Sequence, residues 1–195
     1  MRGIEQVPWL YDALCAISDR LGLARWRRWI AAGARGRILD LGCGTGRNLD
    51  YLPAGAVALD PHWASLKRAR ARAGHARLVQ GSAEALPFRD GTFDTVVVGL
   101  VFCTVPDAPR GLSEVRRVLS PEGELRAIEH VRATTTWGAR WQDAITPMWK
   151  RLTGGCHPNR DTERTVEHAG FTIQPDGRRA KGKMRRFAAR PTARV

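Results

Sequence analysis

The sequence predicts an α/β protein in which helices cover both faces of a mostly parallel sheet. Short apolar stretches typical of buried strands alternate with amphipathic stretches typical of helices along most of its 195 residues. The longest apolar run, FDTVVVGLVF at 93–102, is typical of a central strand. Because parallel strands need a crossover between them, this alternation favours a parallel sheet, and the length suits one domain.

The elements follow in a regular order. Residues 8–33 form one or two amphipathic helices, in which Trp9, Leu10, Leu14 and Ile17 share a face. Glycine or proline ends several of the later helices, which is where these residues usually stand. The predicted strands are 37–41, 56–60, 76–81, 93–102, 123–131, 171–175 and 183–189, and the predicted helices are 46–52, 62–73, 108–119, 137–152 and 160–170.

Composition and charge exclude several classes of protein. No secretory signal or membrane-spanning run is visible, and VVVGLVF at 96–102 is too short to cross a bilayer. The four cysteines are widely spaced, so we expect no disulfide framework and a cytoplasmic protein. The net charge of +13 comes almost entirely from arginines spread along the chain. The clusters at 25–29 and 177–186 lack a nucleic-acid-binding signature, so nucleic acid is not the expected partner.

A glycine-rich turn, LDLGCGTG, follows the first predicted strand. Its GxGxG spacing differs from the dinucleotide fingerprint GxGxxG, and there is no phosphate-binding lysine. Asp40 stands just before the turn, and Asp60 ends the second strand, where an acid commonly binds a ribose diol. Two carboxylates around such a turn favour a nucleoside that carries positive charge, and S-adenosylmethionine fits this description.

These residues, with ALD at 58–60 and GSAEALPFRDGTFDTVVV at 81–98, resemble the class I S-adenosylmethionine-dependent methyltransferases. The resemblance covers about residues 36–175. It implies a Rossmann-like, seven-stranded, mostly parallel sheet whose last strand is antiparallel. It also implies a single domain (1–195) with an N-terminal helical lid at 1–34, a cofactor-binding core at 36–175, and a closing strand and basic tail at 176–195.

The resemblance further implies which residues bind the cofactor and its product, S-adenosylhomocysteine. Ser82 departs from the pattern, since the family often has an aspartate there, and a hydroxyl accepts a hydrogen bond without charge. We therefore expect weaker cofactor binding but a preserved adenine site. The implied cofactor-binding residues are Asp40, Gly42, Cys43, Gly44, Gly46, Asn48, Asp60, Pro61, Ser82, Ala83, Gly99 and Leu100.

The second half of the chain narrows the choice among classes of methyl acceptor. LVFCTVPD, IEHV and WQDAITPMWKRLTGGCHPNRD resemble the branch that holds alkyl-thiol methyltransferases and bacterial phospholipid or quinone-type methyltransferases. A small-molecule thiol is the favoured acceptor, with phospholipid nitrogen or a quinone-type acceptor as alternatives. An RNA methyltransferase and a non-catalytic cofactor-binding protein are less favoured. The oligomeric state is not predicted.

His130, Glu129 and His157 are the candidate catalytic residues. Neighbouring residues of a strand alternate faces, so Glu129 and His130 point in opposite directions. His130 is either the base that orients the acceptor or a structural histidine, and His157 lies in a loop that can close over the pocket. No metal site is predicted, since Cys156 and His157 are adjacent and no other ligand cluster is visible.

Two tryptophan-rich segments remain open to two interpretations. Trp9, Trp26 and Trp29 alternate with arginines, which allows peripheral contact with an anionic membrane, although a lid with its tryptophans packed inward is favoured. On the helix at 137–152, the large apolar residues serve either as core or lid packing or as an apolar acceptor pocket. These residues are Trp137, Trp141, Met148 and Trp149.

Overall fold

A computed structural model of the chain describes residue 16 and residues 19–153 and 155–192. The first part of the helical segment predicted at 8–33, with the face formed by Trp9, Leu10, Leu14 and Ile17, therefore lies outside the described residues. A π-helical turn at Asp19–Leu23 leads into the first helix. The helices are α1 (Ala24–Ala32), α2 (Trp63–Arg72), α3 (Ala108–Val118), α4 (Thr136–Leu152) and α5 (Thr162–His168). The strands are β1 (Ile38–Leu41), β2 (Val57–Asp60), β3 (Arg77–Gln80), β4 (Phe93–Gly99), β5 (Leu119–His130), β6 (Phe171–Ile173), β7 (Arg179–Lys181) and β8 (Met184–Pro191).

The sheet has the order β3-β2-β1-β4-β5-β8-β6, and the short β7 pairs with β8. The pairs from β3 to β5 are parallel, whereas β8 runs antiparallel to β5, β6 and β7. The predicted parallel sheet with an antiparallel last strand is confirmed. The predicted count of seven strands is one too low, because β7 forms a hairpin with β8.

Several predicted elements differ in length or type from the observed ones, and two of the differences bear on the site. Residues 46–52 form consecutive turns in place of a helix, since Gly46 has a φ of 84° and the backbone bonds join residues three apart. The fourth strand ends at Gly99 and not at residue 102, because Leu100 adopts a φ of 64° and turns the chain. Both differences lie at the edge of the sheet that holds the glycine turn.

Alternation along the central strands divides the core into two layers. Leu39, Val96 and Val98 face the side covered by α3 and α5, where they pack with Leu112 and Val166. On the opposite side, the apolar faces of α1 and α2 cover the alternate residues of β1, β2 and β4. That second layer includes Ile30, Ile38, Ala58, Leu66, Ala69 and Val97. Burial on both faces explains why the central strands are apolar throughout.

The described part of the N-terminal segment packs against the sheet. Trp26 and Trp29 of α1 are half-buried against the α1–α2 layer. The guanidinium of Arg126 lies 4.2 Å from the Trp29 ring centroid, and that of Arg186 lies 4.6 Å from it. This is the packing that the inward-facing interpretation predicts.

Helix α4 does not contribute large side chains to the core. Trp137 is 78% exposed and Met148 61% exposed, and Trp141 and Trp149 are also exposed. The interpretation of these side chains as core packing is therefore wrong. The helix is anchored instead through buried Gln142, whose amide nitrogen donates to the carbonyls of Val131 and Pro158. Polar anchoring leaves the apolar face of α4 open to solvent.

Candidate functional site

The glycine turn sits at the carboxyl edge of the sheet, between the ends of β1 and β2. Gly42, Gly44 and Gly46 all have positive φ, which side chains rarely adopt. A Cβ at Gly42 would lie 2.7 Å from a methyl carbon of Val101, whereas one at Gly44 would meet no described residue within 4 Å. Gly42 is therefore required by packing, while Gly44 faces open space that a ligand can fill.

Asp40 lies near the end of β1, and its carboxylate is fully buried. Its Oδ1 accepts a hydrogen bond of 2.8 Å from the amide of Asn48, whose own oxygen accepts from Arg27. Among the residues that the structure describes, none donates a hydrogen bond to Oδ2 of Asp40. Burial raises the pKa of Asp40 to about 7, although Asn48 and Arg27 favour the ionised form. A buried carboxylate oxygen without a donor is suited to a positively charged ligand group.

Arg27 is a residue of this site that the sequence alone did not indicate. It is buried, and its guanidinium joins Asn48 to Asp19 of the π-helical turn. Asp19 also accepts from Arg47 at 2.7 Å. A chain of hydrogen bonds therefore connects the N-terminal helix to Asp40. Its only signal in the sequence was a basic cluster that looked like part of a charged surface.

Asp60 closes the opposite side of the turn. One carboxylate oxygen accepts from the backbone N–H of Gly44 at 2.9 Å, and the other accepts from the N–H of His62 at 2.9 Å. Pro61 lies between them and continues the loop after β2. The oxygen that accepts from the His62 N–H also lies 3.4 Å from Nδ1 of His62. A carboxylate offers about four acceptor sites, so Asp60 retains acceptor capacity for a ligand hydroxyl.

The loop after β4 is held by Glu129. This fully buried carboxylate accepts hydrogen bonds from the backbone N–H groups of Val101, Phe102 and Cys103, at 2.9, 2.9 and 3.2 Å. Burial raises its pKa to about 7, and the three donors oppose that shift. Both oxygens are thus engaged in holding the loop, and the strained Leu100 immediately precedes it.

Gly99, at the end of β4, makes room for the chain of polar side chains beside it. A Cβ there would lie 3.2 Å from Asn48 Nδ2 and 3.3 Å from Arg27 Nη1. Any other residue would push these side chains away from Asp40. Gly99 thus supports the Asp40 site through packing.

The predicted adenine-side residues lie after β3. The Ser82 hydroxyl donates to the Glu84 carboxylate at 3.2 Å and accepts from the Glu84 N–H, so its hydrogen is already used locally. Ala83 is buried in the α3–α5 layer. Cys43 is also buried, and burial raises the pKa of its thiol well above the ordinary value.

His130 lies at the same edge, where β5 ends, and it is half-buried. Its Nδ1 is 3.6 Å from Sγ of Cys156. Cys103, in the loop held by Glu129, completes a group whose three ligand atoms lie within 4.8 Å of one another. No local pattern in the sequence indicates this group, because its members come from three distant segments.

The thiols of this cluster share a proton unequally. A hydrogen bond with Cys103 lowers the pKa of Cys156 to about 4, burial opposes the shift, and His130 and Trp149 add to it. The same contact and burial raise the pKa of Cys103. Cys156 is therefore the thiolate of the pair.

His157 follows this cluster without joining it. Its backbone N–H donates to the carbonyl of Cys103 at 2.6 Å, and its buried Nδ1 has no hydrogen-bond partner within residues 19–153 and 155–192. Burial lowers its pKa, with Arg160 and Lys150 as further causes. Arg160 itself donates to the carbonyls of Phe102, Val105 and Pro106, so it braces the same loop.

The geometry fits S-adenosylmethionine. The unpartnered Oδ2 of Asp40 matches an α-amino group, Asp60 retains acceptor capacity for ribose hydroxyls, and the space beside Gly44 allows close backbone approach. The sulfonium and ammonium charges of this cofactor also complement two acids at one edge.

Comparison with known proteins decides the family. A family described as "Methyltransferase domain" matches residues 39–127. The chain is also 37% identical over 182 residues to human thiol S-methyltransferase TMT1B, an alignment that covers 85% of this chain and 75% of the relative. The chain belongs to the S-adenosylmethionine-dependent methyltransferases. It is therefore an enzyme, and its cofactor is S-adenosylmethionine.

Further relatives of this methyltransferase differ in the acceptors that they are named for. A demethylmenaquinone methyltransferase from Lactiplantibacillus plantarum is 30% identical, with 76% of this chain and 70% of the relative covered. A solved S-adenosylmethionine-dependent methyltransferase from Thermotoga maritima superposes with a TM-score of 0.75 at 21% identity, over 96% of this chain and 97% of that one. The latter likeness shows the shared fold. Within the described residues of this methyltransferase, every helix is too short or too polar to cross a membrane.

Proposed function

We propose that this methyltransferase transfers a methyl group to the sulfur of a small thiol. The observation that carries the proposal is its 37% identity to a human thiol S-methyltransferase over most of both chains. The position of His130 beside two cysteines at the acceptor edge supports it. We further infer a cytoplasmic enzyme, in keeping with the free thiols of Cys43, Cys103 and Cys156. Peripheral membrane contact stays a prediction.

The cofactor assignments form part of this proposal. Asp40 binds the α-amino group through Oδ2, and Asp60 binds the ribose hydroxyls. The backbone from Gly42 to Gly46 lies along the methionyl part, with Asn48 orienting Asp40.

On the far side, the segment Ser82–Ala83 flanks the adenine, and the end of β4 at Gly99 and Leu100 lies beneath the methionyl group.

The cofactor supplies an electrophilic methyl group on a sulfonium ion, so the protein must supply an aligned thiolate. A free thiol has a pKa of about 8.5, and a group that accepts its proton helps at neutral pH. His130 is half-buried at the rim of the sheet and is the residue that we assign to this role. Glu129 acts as a positioning residue, since its carboxylate fixes the loop that carries Cys103. His157 closes the loop on the acceptor side.

A quinone-type acceptor is the second candidate. It is favoured by the 30% identity to a demethylmenaquinone methyltransferase over 70% of that relative. The apolar side chains exposed on α4 suit either a hydrophobic thiol or a quinone ring. A phospholipid amine is the third acceptor that the sequence pattern allows.

The test is a methyl-transfer assay with radiolabelled cofactor and three acceptor panels: alkyl and aryl thiols, demethylated quinols, and aminolipids. We expect turnover with thiols. Replacing His130 by alanine is expected to lower thiol turnover by about 10²–10⁴-fold, with partial recovery at high pH where thiolate forms unaided. Cofactor affinity, measured by calorimetry, is expected to change little.

His75→Ala is the matched control, because His75 is exposed and precedes β3 at the opposite edge of the sheet. It should retain wild-type turnover. Methylation of quinols but no thiol would replace the proposed acceptor with the second candidate. Wild-type turnover of His130→Ala from pH 6 to 9 would assign His130 a structural role.

A further inference from the structure

Two sulfur atoms and one imidazole nitrogen lie close together outside the glycine turn. They belong to Cys103, Cys156 and His130. Cys103 and Cys156 are buried, and His130 is half-buried. The three residues lie on the loop after β4, at the end of β5 and on the loop after α4. They therefore meet at the carboxyl edge of the sheet, where the acceptor is expected.

We propose that Cys103, His130 and Cys156 form a zinc site whose fourth position takes the sulfur of the acceptor. The inference rests on the proposed thiol methylation and extends it, because it names how the thiolate is formed. Two thiolates and one imidazole are a ligand set that zinc prefers, whereas magnesium and calcium prefer oxygen. Three protein ligands with one open position are typical of catalytic zinc.

The distances agree with this ligand set. A sulfur at about 2.3 Å and a nitrogen at about 2.0 Å from a tetrahedral zinc lie about 3.6 Å apart. The distance between Cys156 Sγ and His130 Nδ1 is 3.6 Å. All three ligand atoms lie within 4.8 Å of one another, so a small adjustment of Cys103 completes the site.

Hydrogen bonds hold the three segments in place without a metal. Glu129 accepts from the Cys103 N–H, and the Cys103 carbonyl accepts from the His157 N–H. The carbonyl of His130 accepts from the Thr162 hydroxyl at 2.9 Å. Backbone anchoring beside each ligand preorganises the site, as hydrogen bonds that orient the ligands do in known metal sites.

The metal would convert the acceptor thiol to a thiolate by binding its sulfur. An incoming thiol displaces a water from the fourth position, a zinc–sulfur bond forms, and the thiol proton leaves to solvent, because coordination deprotonates thiols. After methyl transfer the sulfur is a thioether, which carries no charge and binds zinc weakly. The zinc–sulfur bond then breaks and water returns. In this scheme His130 assists thiolate formation as a zinc ligand, and this role replaces the direct acceptance of the acceptor proton assigned to it above.

The test measures zinc binding to the reduced full-length protein, with a phosphine reductant and a chromogenic chelator as competitor. We expect one zinc ion per wild-type chain. Cys103→Ser and Cys156→Ser are each expected to bind zinc at least about 100-fold more weakly, because loss of a ligand costs more than loss of a residue that only supports one. Cys43→Ser, the same change at a buried cysteine outside the cluster, should bind zinc like the wild type. Equal zinc affinity in the wild type and Cys156→Ser would overturn the site.

A wild-type measurement removes the dependence on folding of the variants. Zinc should protect Cys156 from alkylation while Cys43 reacts at the same slow rate with and without zinc, as mass spectrometry of the peptides would show. Cobalt in place of zinc should give sulfur-to-metal charge-transfer absorption that strengthens on addition of propanethiol. No protection by zinc, or no response of the cobalt spectrum to propanethiol, contradicts the proposal.

The activity assay separates this inference from the proposed function. Zinc-free enzyme is expected to lose most thiol turnover and to regain it on addition of zinc. Full thiol turnover without zinc leaves the proposed function standing and overturns the metal site. Zinc binding by a protein that methylates no thiol refutes the proposed function and the activating role of zinc, whereas the ligand assignment still holds.

Discussion

Asp40 and Glu129 are two fully buried carboxylates at the same edge of one sheet, with pKa values raised to about 7 by the same cause, burial. Their surroundings differ in one respect. Glu129 receives three backbone N–H groups, whereas one oxygen of Asp40 receives no donor from the described part of the chain. Glu129, whose oxygens both accept hydrogen bonds, holds the loop after β4. Asp40 keeps one oxygen that can accept from a ligand. The pKa shift alone therefore does not distinguish a structural acid from a binding acid.

Removing Glu129 should have the largest effect on stability. Glu129→Ala leaves the N–H groups of Val101, Phe102 and Cys103 buried without acceptors, so we expect a loss of about 3–5 kcal/mol in the free energy of unfolding. Denaturant unfolding measures it. Glu129→Gln keeps one acceptor oxygen and should lose less. The matched control is Glu122→Ala, since Glu122 is exposed. A stability loss no larger than that of the control would mean that Glu129 does not hold the loop.

Removing the charge of Asp40 should act in the opposite direction on stability. Above pH 7, ionised Asp40 is buried without enough donors, so Asp40→Asn is expected to raise the free energy of unfolding of the cofactor-free protein by about 1–4 kcal/mol. Its affinity for S-adenosylmethionine should fall by about 100-fold, because the α-amino group loses its charged partner. Calorimetry and denaturant unfolding of the same samples give both values.

The pH dependence sharpens this test. A folded-state pKa raised above that of the unfolded chain means that the native protein holds more protons between about pH 4 and 7. The Asp40 contribution to stability is therefore present below pH 4 and is lost as pH rises through about 7. Cofactor affinity follows the reverse course and should fall below pH 7 in the wild type. Asp40→Asn should show a flat cofactor affinity over this range; an unchanged slope would assign the titration to another group.

Asp60 should show the smallest effect of the three acids. Asp60→Ala is expected to weaken S-adenosylmethionine binding by about 1–3 kcal/mol, because the ribose hydroxyls and the Gly44 N–H lose an acceptor. Isothermal calorimetry provides the measurement. Asp90→Asn is the control, since Asp90 is exposed near the start of β4. Unchanged affinity of Asp60→Ala would remove Asp60 from the ribose site.

The sequence by itself determined the parallel sheet and the glycine turn. Strand periodicity and the run from Asp40 to Gly46 are local features, and parallel pairing brings Asp60 next to that turn by the rules of the fold. The antiparallel last strand came from the family resemblance. Local pattern failed at residues 46–52, where positive φ at Gly46 replaced the predicted helix with turns.

Only the tertiary structure decided what the acids and thiols do. Glu129 and His130 are adjacent in sequence, yet one completes a backbone loop and the other contacts a cysteine 26 residues away. Arg27 reaches Asn48 across 21 residues, which no local pattern encodes. The physical reason is that hydrogen-bond saturation and ligand geometry depend on groups from several segments, whereas strand and helix patterns depend on neighbours along the chain.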